Sequence, residues 1–467
     1  MVAPFANWVL DLQNKLKYMK HIGGPKNLPI IGCMLEIPTQ PEMVLNYLIA
    51  EMNKVLDKGE SVMKLWVGPK LIVLPLDAEA VKVLTSSNTE LTKGSDYDFF
   101  VQWLGRGLLL GAGDHWFKVR RMATPAFHFA KLDEYCETMD NHASTMVKLI
   151  GEQTDGKREI DLAPFIKHCA LDTIGETAMG ICLNAQLDCD QDYVKAVSKF
   201  NALAIIYWRN PFLGMFGGLL WKTLGYKAQI DEALNVLKSM TDKVVRERME
   251  VFKDLQQNGV EKIEKKRLNF LDLMLEYNSE NQITMEQLRE ECDTFMFAGH
   301  DTTAHAFNEF GKSGADFRSN KLKELKYLDM VLKESMRLFA PVPFIQRTLQ
   351  TDQIIGGHLI PKNTSVSISP FMLHRNPNVF TDPEKFDPNR FDDGKEYPAT
   401  AYIPFSAGAR NCIGQKFAVR EAKIMIAHLV YNFQLTTHYK VHENLPSALT
   451  VTCPHLDLPV KVVSRND

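Results

Sequence analysis

The sequence predicts one large, mainly α-helical domain with a small β region. Three observations carry that reading. Apolar residues recur at helical spacing through most of 115–300. Prolines and β-branched residues dominate only around 61–75 and after 339. No repeat, low-complexity tract or clear interdomain linker divides the 467 residues, although that length exceeds the usual size of one domain.

Taken in order, residues 1–22 are interrupted by Asp11, Gln13, Asn14, Lys15 and Lys17. A spanning helix wants about 20 mostly apolar residues, and a secretory signal a basic-then-apolar order. Residues 1–22 offer neither, so they are expected to be a truncated or peripheral segment, lying on a membrane or forming an ordinary surface helix. GGPKNLPIIG at 23–32 reads as a hinge or entry segment, since Pro and Gly stiffen and turn the chain. The single domain is placed at 23–467. Residues 61–75 (SVMKLWVGPKLIVLP) read as two strands around Gly68-Pro69. Within 226–256, Ile230, Leu234, Leu237 and Val244 share one stripe, with Lys243, Arg246 and Arg248 elsewhere. The apolar run 211–221 (PFLGMFGGLLW) is core, or a membrane-dipping element if exposed. VPFIQRTL and GGHLIPKNTSVSIS, after 339, suggest short strands. A last helix is expected from about Ile413 to Phe433, with Phe417, Ile424 and Tyr431 on one face.

Hydrophobic residues make up 45% and charged residues 24%, which suits a packed globular protein rather than a disordered one. A net charge of −3 gives no reason to expect nucleic acid as a partner. The eight cysteines are scattered without a CxxC pair, so they form no disulfide framework. Only Cys412 has flanks that suggest chemistry.

Cys412 lies in PFSAGARNCIGQKFA, 404–418. A thiolate ligand must be deprotonated and shielded. Small residues let backbone N–H groups approach the sulfur, and a helix starting just afterwards points its positive end at it. Gly408 and Gly414 are expected to permit the turn. The string Phe405, Gly408, Arg410, Cys412, Gly414 resembles the haem-binding loop of the cytochrome P-450 superfamily. That resemblance implies a b-type haem between a long distal helix and the cysteine loop with its following helix. Cys412 would be the axial metal ligand, with Phe405, Arg410 and Gly414 at the cofactor and Arg410 reaching a propionate. Trp116 and Arg120 stand one helical turn apart in HWFKVRR, so both are expected to meet one propionate. Arg347 matches a further propionate-binding arginine. Glu334 and Arg337 in LKESMRL, followed by Arg390 in FDPNRF, resemble the superfamily's buried structural network behind the haem.

On the oxygen side, FMFAGHDTT (295–303) places Asp301 and Thr302 together in a helical context. Activating dioxygen at a haem consumes protons; a hydroxyl can hold the water that supplies them and a carboxylate can relay them. Asp301 and Thr302 form an acid–alcohol pair that resembles the superfamily's proton-delivery motif, which makes them the expected catalytic pair, while Ala298 and Gly299 are expected to leave room above the iron. ECDTFMFAGHDTT, LDTIGETAMG (171–180) and WLGRGLLLG (103–111) resemble family 4 of the superfamily. This implies a monooxygenase that hydroxylates fatty acids or similar apolar chains near their ends. Leu104, Phe297, Ala298 and Phe344 are the expected pocket residues. Many members carry an acid where Ala298 stands, so no covalent ester to the haem is expected here.

The resemblance also implies O2 as co-substrate, NADPH-cytochrome P-450 reductase as electron donor, cytochrome b5 as an auxiliary donor, and the cytoplasmic face of the endoplasmic reticulum membrane. Lys118, Arg121, Lys416, Arg420 and Lys423 are expected to form a basic docking face on the thiolate side. One departure stands out. Between Thr303 and Leu322, AHAFNEFGKSGADFRSNK is roughly 20 residues shorter than the family pattern, equal to about 30 Å of helix. An inactive isoform that holds haem poorly is therefore one alternative. A reductant-independent haem-thiolate isomerase is another.

Overall fold

The computed structural model describes residues 2–188, 192–210, 218–257, 268–305, 325–392, 394–438, 446–447, 450–454 and 458–465. The helices are α1 (Val2–Tyr18), α2 (Pro41–Leu56), α3 (Ala78–Thr85), α4 (Asp98–Leu104), α5 (Gly113–Ala123), α6 (Phe129–Gln153), α7 (Ala163–Ile174), α8 (Asp192–Arg209), α9 (Gly218–Thr223), α10 (Tyr226–Gln257), α11 (Phe270–Ser279), α12 (Met285–His305), α13 (Lys326–Leu338) and α14 (Gln415–Asn432). They bury one large core, in which α12 packs on α7 and α14 on α6. The stripe read from α10 faces that core: Ile230, Leu234, Leu237 and Val244 are all buried.

The sheet that borders the site runs β1-β2-β7-β4, from β1 (Val62–Val67), β2 (Lys70–Pro75), β7 (Ser365–Ile368) and β4 (Ile345–Thr348). β1 and β2 form the expected hairpin, closed through Gly68-Pro69 with Gly68 at φ 54°. β2 pairs parallel with β7, which pairs antiparallel with β4. A second ladder joins β5 (Gln353–Ile355) to β6 (His358–Ile360), and β3 (Glu159–Asp161) pairs antiparallel with residues 459–461.

Three expectations change. Residues 23–32, read as a hinge or entry segment, do not form a hinge. They are tied along β1 by bridges from Gly23 to Met63 and from Gly32 to Val67, so closely that a Cβ on Gly32 would stand 2.0 Å from the Trp66 carbonyl oxygen. Nor does packing stop at residue 23, because Leu12, Met19 and Ile22 join the core of the sheet region. In the last helix Phe417 and Ile424 are buried, but Tyr431 is 55% exposed, since the helix ends one residue later and its final turn leaves the core. Residues 211–217 of the apolar run lie outside the described residues, whereas Trp221 is buried. Among the described residues, no helix is long and apolar enough to cross a membrane.

Two buried acids bear on stability. Glu334 on α13 is fully enclosed and receives Arg337 through Nε at 2.7 Å and Nη2 at 2.9 Å. It also accepts from Arg390 Nε at 3.3 Å and the Asp387 N–H at 2.8 Å. The remaining guanidinium protons go to carbonyls of His374, Thr381, Asp382 and Lys385. Glu421 on α14 has no such support. Its oxygens lack a hydrogen-bond partner of good geometry among the described residues, and burial lifts its pKa to about 8. The Thr303 and Thr173 hydroxyls stand close enough to favour the charged form, but each donates to a helix carbonyl instead.

Glu334→Gln leaves two buried guanidiniums short of countercharge, and unfolding by urea is expected to show a loss of about 3–5 kcal/mol; a loss below about 1 kcal/mol contradicts the lock. For Glu421 the folded pKa lies above that of the unfolded chain. Its contribution is therefore complete at about pH 4 and declines as pH rises through about 8. Glu421→Gln is expected to flatten the fall in stability over that window, and an unchanged pH slope rules this out.

Candidate active site

A cavity of about 1340 Å³ opens between the 404–414 loop and α12. Phe405, Arg410 and Cys412 line one side; Phe297, Ala298, Asp301 and Thr302 line the other.

The loop is shaped by backbone constraint. Gly408 sits at φ 71°, and a Cβ there would meet the Thr85 carbonyl oxygen at 1.7 Å, so only glycine fits. The Cys412 N–H donates to the Phe405 carbonyl at 2.9 Å, and the Asn411 N–H to Gly408 at 3.1 Å. Gly414 differs from expectation: its φ is −88°, which any residue adopts. Nor does space demand glycine there, since a Cβ would make only an ordinary contact with the Cys412 sulfur, at 4.0 Å. The accessible surface of Cys412 faces the cavity. Burial pushes its thiol pKa up, while the Gly414 N–H and the Arg120 charge pull it down.

The cations gather at one end. Arg410 donates to the carbonyls of Leu108 and Gly111 and lies 4.2 Å over the Trp116 ring. Burial and the Arg347 charge lower its pKa to about 9. Arg347, on β4, is 3% exposed and bridges backbone to backbone with Lys93. Lys93 faces the cavity, its ammonium 4.6 Å from the Tyr97 ring, and burial with two neighbouring guanidiniums holds its pKa well below normal. Among the described residues, the ionisable groups that act on these three are one another, Arg120 and the Tyr97 hydroxyl. Arg347 Nη1 and Arg410 Nε are buried without a hydrogen-bond partner among the described residues. Buried like charges with unused donors suit a ligand that brings acid groups of its own. A haem, with two propionates, fits.

Trp116 and Arg120 do share a helix face, but the indole N–H donates to the Leu108 carbonyl at 3.1 Å. Arg120 spends both arms on Asn411, at 2.8 Å to its carbonyl and 2.7 Å to its side-chain oxygen. Instead of meeting one acceptor, Trp116 supports Arg410 and Arg120 braces the residue before Cys412.

On the distal side, the Thr302 hydroxyl donates to Ala298 at 2.6 Å. Asp301 is 5% exposed and accepts from Asn201 Nδ2 at 3.3 Å. Phe297 and Phe344 line the cavity, whereas Leu104 is wholly buried and does not. Gly299 makes no room over the site either. It faces α7, where a Cβ would meet Ile174 at 2.6 Å.

The basic face is smaller than expected. Lys423 pairs with Asp329 at 2.7 Å and Arg420 with Asp133 at 2.5 Å, leaving Lys118, Arg121 and Lys416 exposed.

Sequence reasoning missed Lys93, whose guanidinium neighbours, Arg347 on β4 and Arg410 in the cysteine loop, lie far along the chain and carry no spacing signal. It also missed Glu291, which accepts the Leu108 N–H on both oxygens at 3.0 Å and thereby ties α12 to the carbonyls that hold Trp116 and Arg410. Recurrence of acids in EECD was the available signal.

Comparison with known proteins agrees with this geometry. The family model described as Cytochrome P450 matches residues 22–310 and 308–457. Cytochrome P450 4V2 of Homo sapiens is 35% identical over 435 residues, covering 86% of this chain and 82% of the relative. Probable cytochrome P450 4s3 of Drosophila melanogaster is 33% identical, covering 97% of this chain and 96% of the relative. Cytochrome P450 4c3 of the same fly is 32% identical, covering 97% and 90%. The chain belongs to the cytochrome P450 superfamily, family 4, and is thus a haem-thiolate monooxygenase with haem b and a cysteine thiolate as its axial ligand.

Proposed function

We propose that this monooxygenase hydroxylates fatty acids or related apolar chains, with Cys412 as the thiolate ligand and electrons from an NADPH-dependent reductase. The observation that carries the substrate class is the cavity's mainly apolar lining. Beside Cys412, Phe297 and Phe344, that lining includes Ile205 and Ile206 and, from the N-terminal segment, Met34, Leu35 and Pro38. In that segment Ile30 and Leu35 are each 74% exposed. An apolar cavity bordered by exposed apolar residues suits a substrate that partitions from lipid, and a membrane-facing orientation on the endoplasmic reticulum.

In this reading Arg410, Arg347 and Lys93 neutralise the haem's acid groups, and Arg120 steadies Asn411. Glu334, Arg337 and Arg390 keep the region behind the haem folded and take no part in chemistry. The haem, when bound, supplies the redox chemistry that activates dioxygen. Thr302 donates its own proton to Ala298, so its oxygen lone pairs are open to a cavity water. Asp301, at the cavity wall beside Asn201, passes protons inward to that water.

One observation favours a second reading, an isoform that retains haem poorly. The family match falls into two segments that meet at 308–310, inside the stretch read in the sequence as shorter than the family pattern. Gly311 and Gly314, which by composition would break a helix soon after Phe310, lie outside the described residues.

Incubating the haem-loaded protein with reductase, NADPH and a panel of straight-chain fatty acids is expected to give hydroxylated products by mass spectrometry, and Cys412→Ser none. Protein showing the carbon monoxide spectrum of thiolate-ligated haem but no product from any chain length rejects the fatty-acid reading. Protein without that spectrum supports the second reading. For the reductase, Lys118→Glu with Lys416→Glu is expected to slow haem reduction by roughly tenfold at low ionic strength, with the difference shrinking in salt. Equal reduction rates at all salt concentrations remove this docking face.

A further inference from the structure

Asp293, in the middle of the α12 motif, takes no part in the chemistry above, yet it is only 4% exposed. It stands one turn before Phe297, on the same helix face. Its Oδ1 accepts from the Thr241 hydroxyl of α10 at 2.5 Å and from the Trp103 indole N–H of α4 at 3.2 Å. One carboxylate oxygen therefore joins three helices, and both donors are as buried as the acid.

What Trp103 touches gives this joint its significance. Its ring packs against Phe297, centroids 5.0 Å apart, and edge-on against Phe200 at 5.2 Å. Phe100 stacks on Phe297 at 6.2 Å and meets Trp208 at 6.0 Å. Phe297 and Trp208 line the cavity, whereas Trp103, Phe100 and Phe200 form the layer behind them. Aromatic rings in contact can slide at little cost, because dispersion is not directional, whereas a buried hydrogen bond fixes an orientation. Burial raises the Asp293 pKa to about 7, with Thr241, Trp103, Lys238 and Arg289 opposing. In either protonation state the carboxyl keeps an acceptor oxygen.

We propose that Asp293 is a positioning residue for selectivity: by holding Trp103 it fixes the ring stack behind Phe297 and so sets the shape of the apolar cavity along α12. The proposal rests on the reading that this cavity holds haem and an apolar chain. The device lies outside the groups that would touch substrate, so it tunes which chain fits without altering the haem's ligands.

The test uses full-length, haem-loaded protein and a series of 1-alkylimidazoles of increasing tail length. Their ring nitrogen ligates ferric haem and gives a difference spectrum, while the tail explores the cavity. Asp293→Ala is expected to shift the dissociation constant of the best-fitting tail by about tenfold, while imidazole itself moves by no more than about twofold. Asp293→Asn should keep the wild-type dependence on tail length, because an amide oxygen accepts from both donors. Trp103→Phe, which keeps a ring but lacks the N–H, should follow Asp293→Ala, and decides the matter if Asp293→Ala does not fold. A tail-length dependence in Trp103→Phe identical to wild type overturns the proposal, as does equal weakening of imidazole and the longest tail. Absence of any imidazole spectrum in the wild-type protein rejects the haem reading instead.

Discussion

The site depends on an electrostatic debt at one end of the cavity. Arg410, Arg347 and Lys93 bring like charges together where water is scarce, and two of their donor atoms have no partner among the described residues. Such a cluster is unfavourable for the folded chain alone. The surrounding structure compensates in part: the Trp116 face lies beneath Arg410, two carbonyls accept from it, and the Tyr97 ring faces Lys93. What remains matches the two carboxylates of a haem. Cofactor binding and folding are then coupled, since whatever binds the folded cluster and not the unfolded chain stabilises the fold.

The family-4 motifs act together through short physical links. Glu291 of ECDTFMF grips the Leu108 N–H of WLGRGLLLG, and the Leu108 carbonyl receives Trp116 and Arg410. Glycines in that segment admit the grip: a Cβ on Gly107 would stand 2.6 Å from the Glu291 oxygen, and one on Gly105 would overlap Glu290. The oxygen-side helix and the thiolate-side loop are thus fastened through one connection. Asp293, two residues on, fastens the same helix to α4 and α10. Motifs that read as recognition tags in sequence are joints in space.

Legibility followed the range of the interaction. Local constraints were plain in the sequence: the Gly68-Pro69 hairpin, the α10 stripe and the small-residue turn before Cys412 all depend on neighbours within a few positions. Readings went astray where a residue had a partner far along the chain. Gly299 suggested space over the iron, but Ile174 of α7 occupies its open side. Lys423 suggested a docking charge, but Asp329 of α13 takes it. Residues 23–32 had the composition of a hinge, and β1 holds them.

From its residues alone this chain declared a mainly helical fold and a small-residue turn before Cys412, because these rest on spacing and short-range backbone geometry, while the roles expected of Cys412, Asp301 and Thr302 came with the family resemblance. Tertiary structure decided which charges share a cavity, which glycines face a neighbouring helix and which acid holds which ring. Those outcomes depend on helices meeting across hundreds of residues, where burial, and not sequence spacing, determines a side chain's partner.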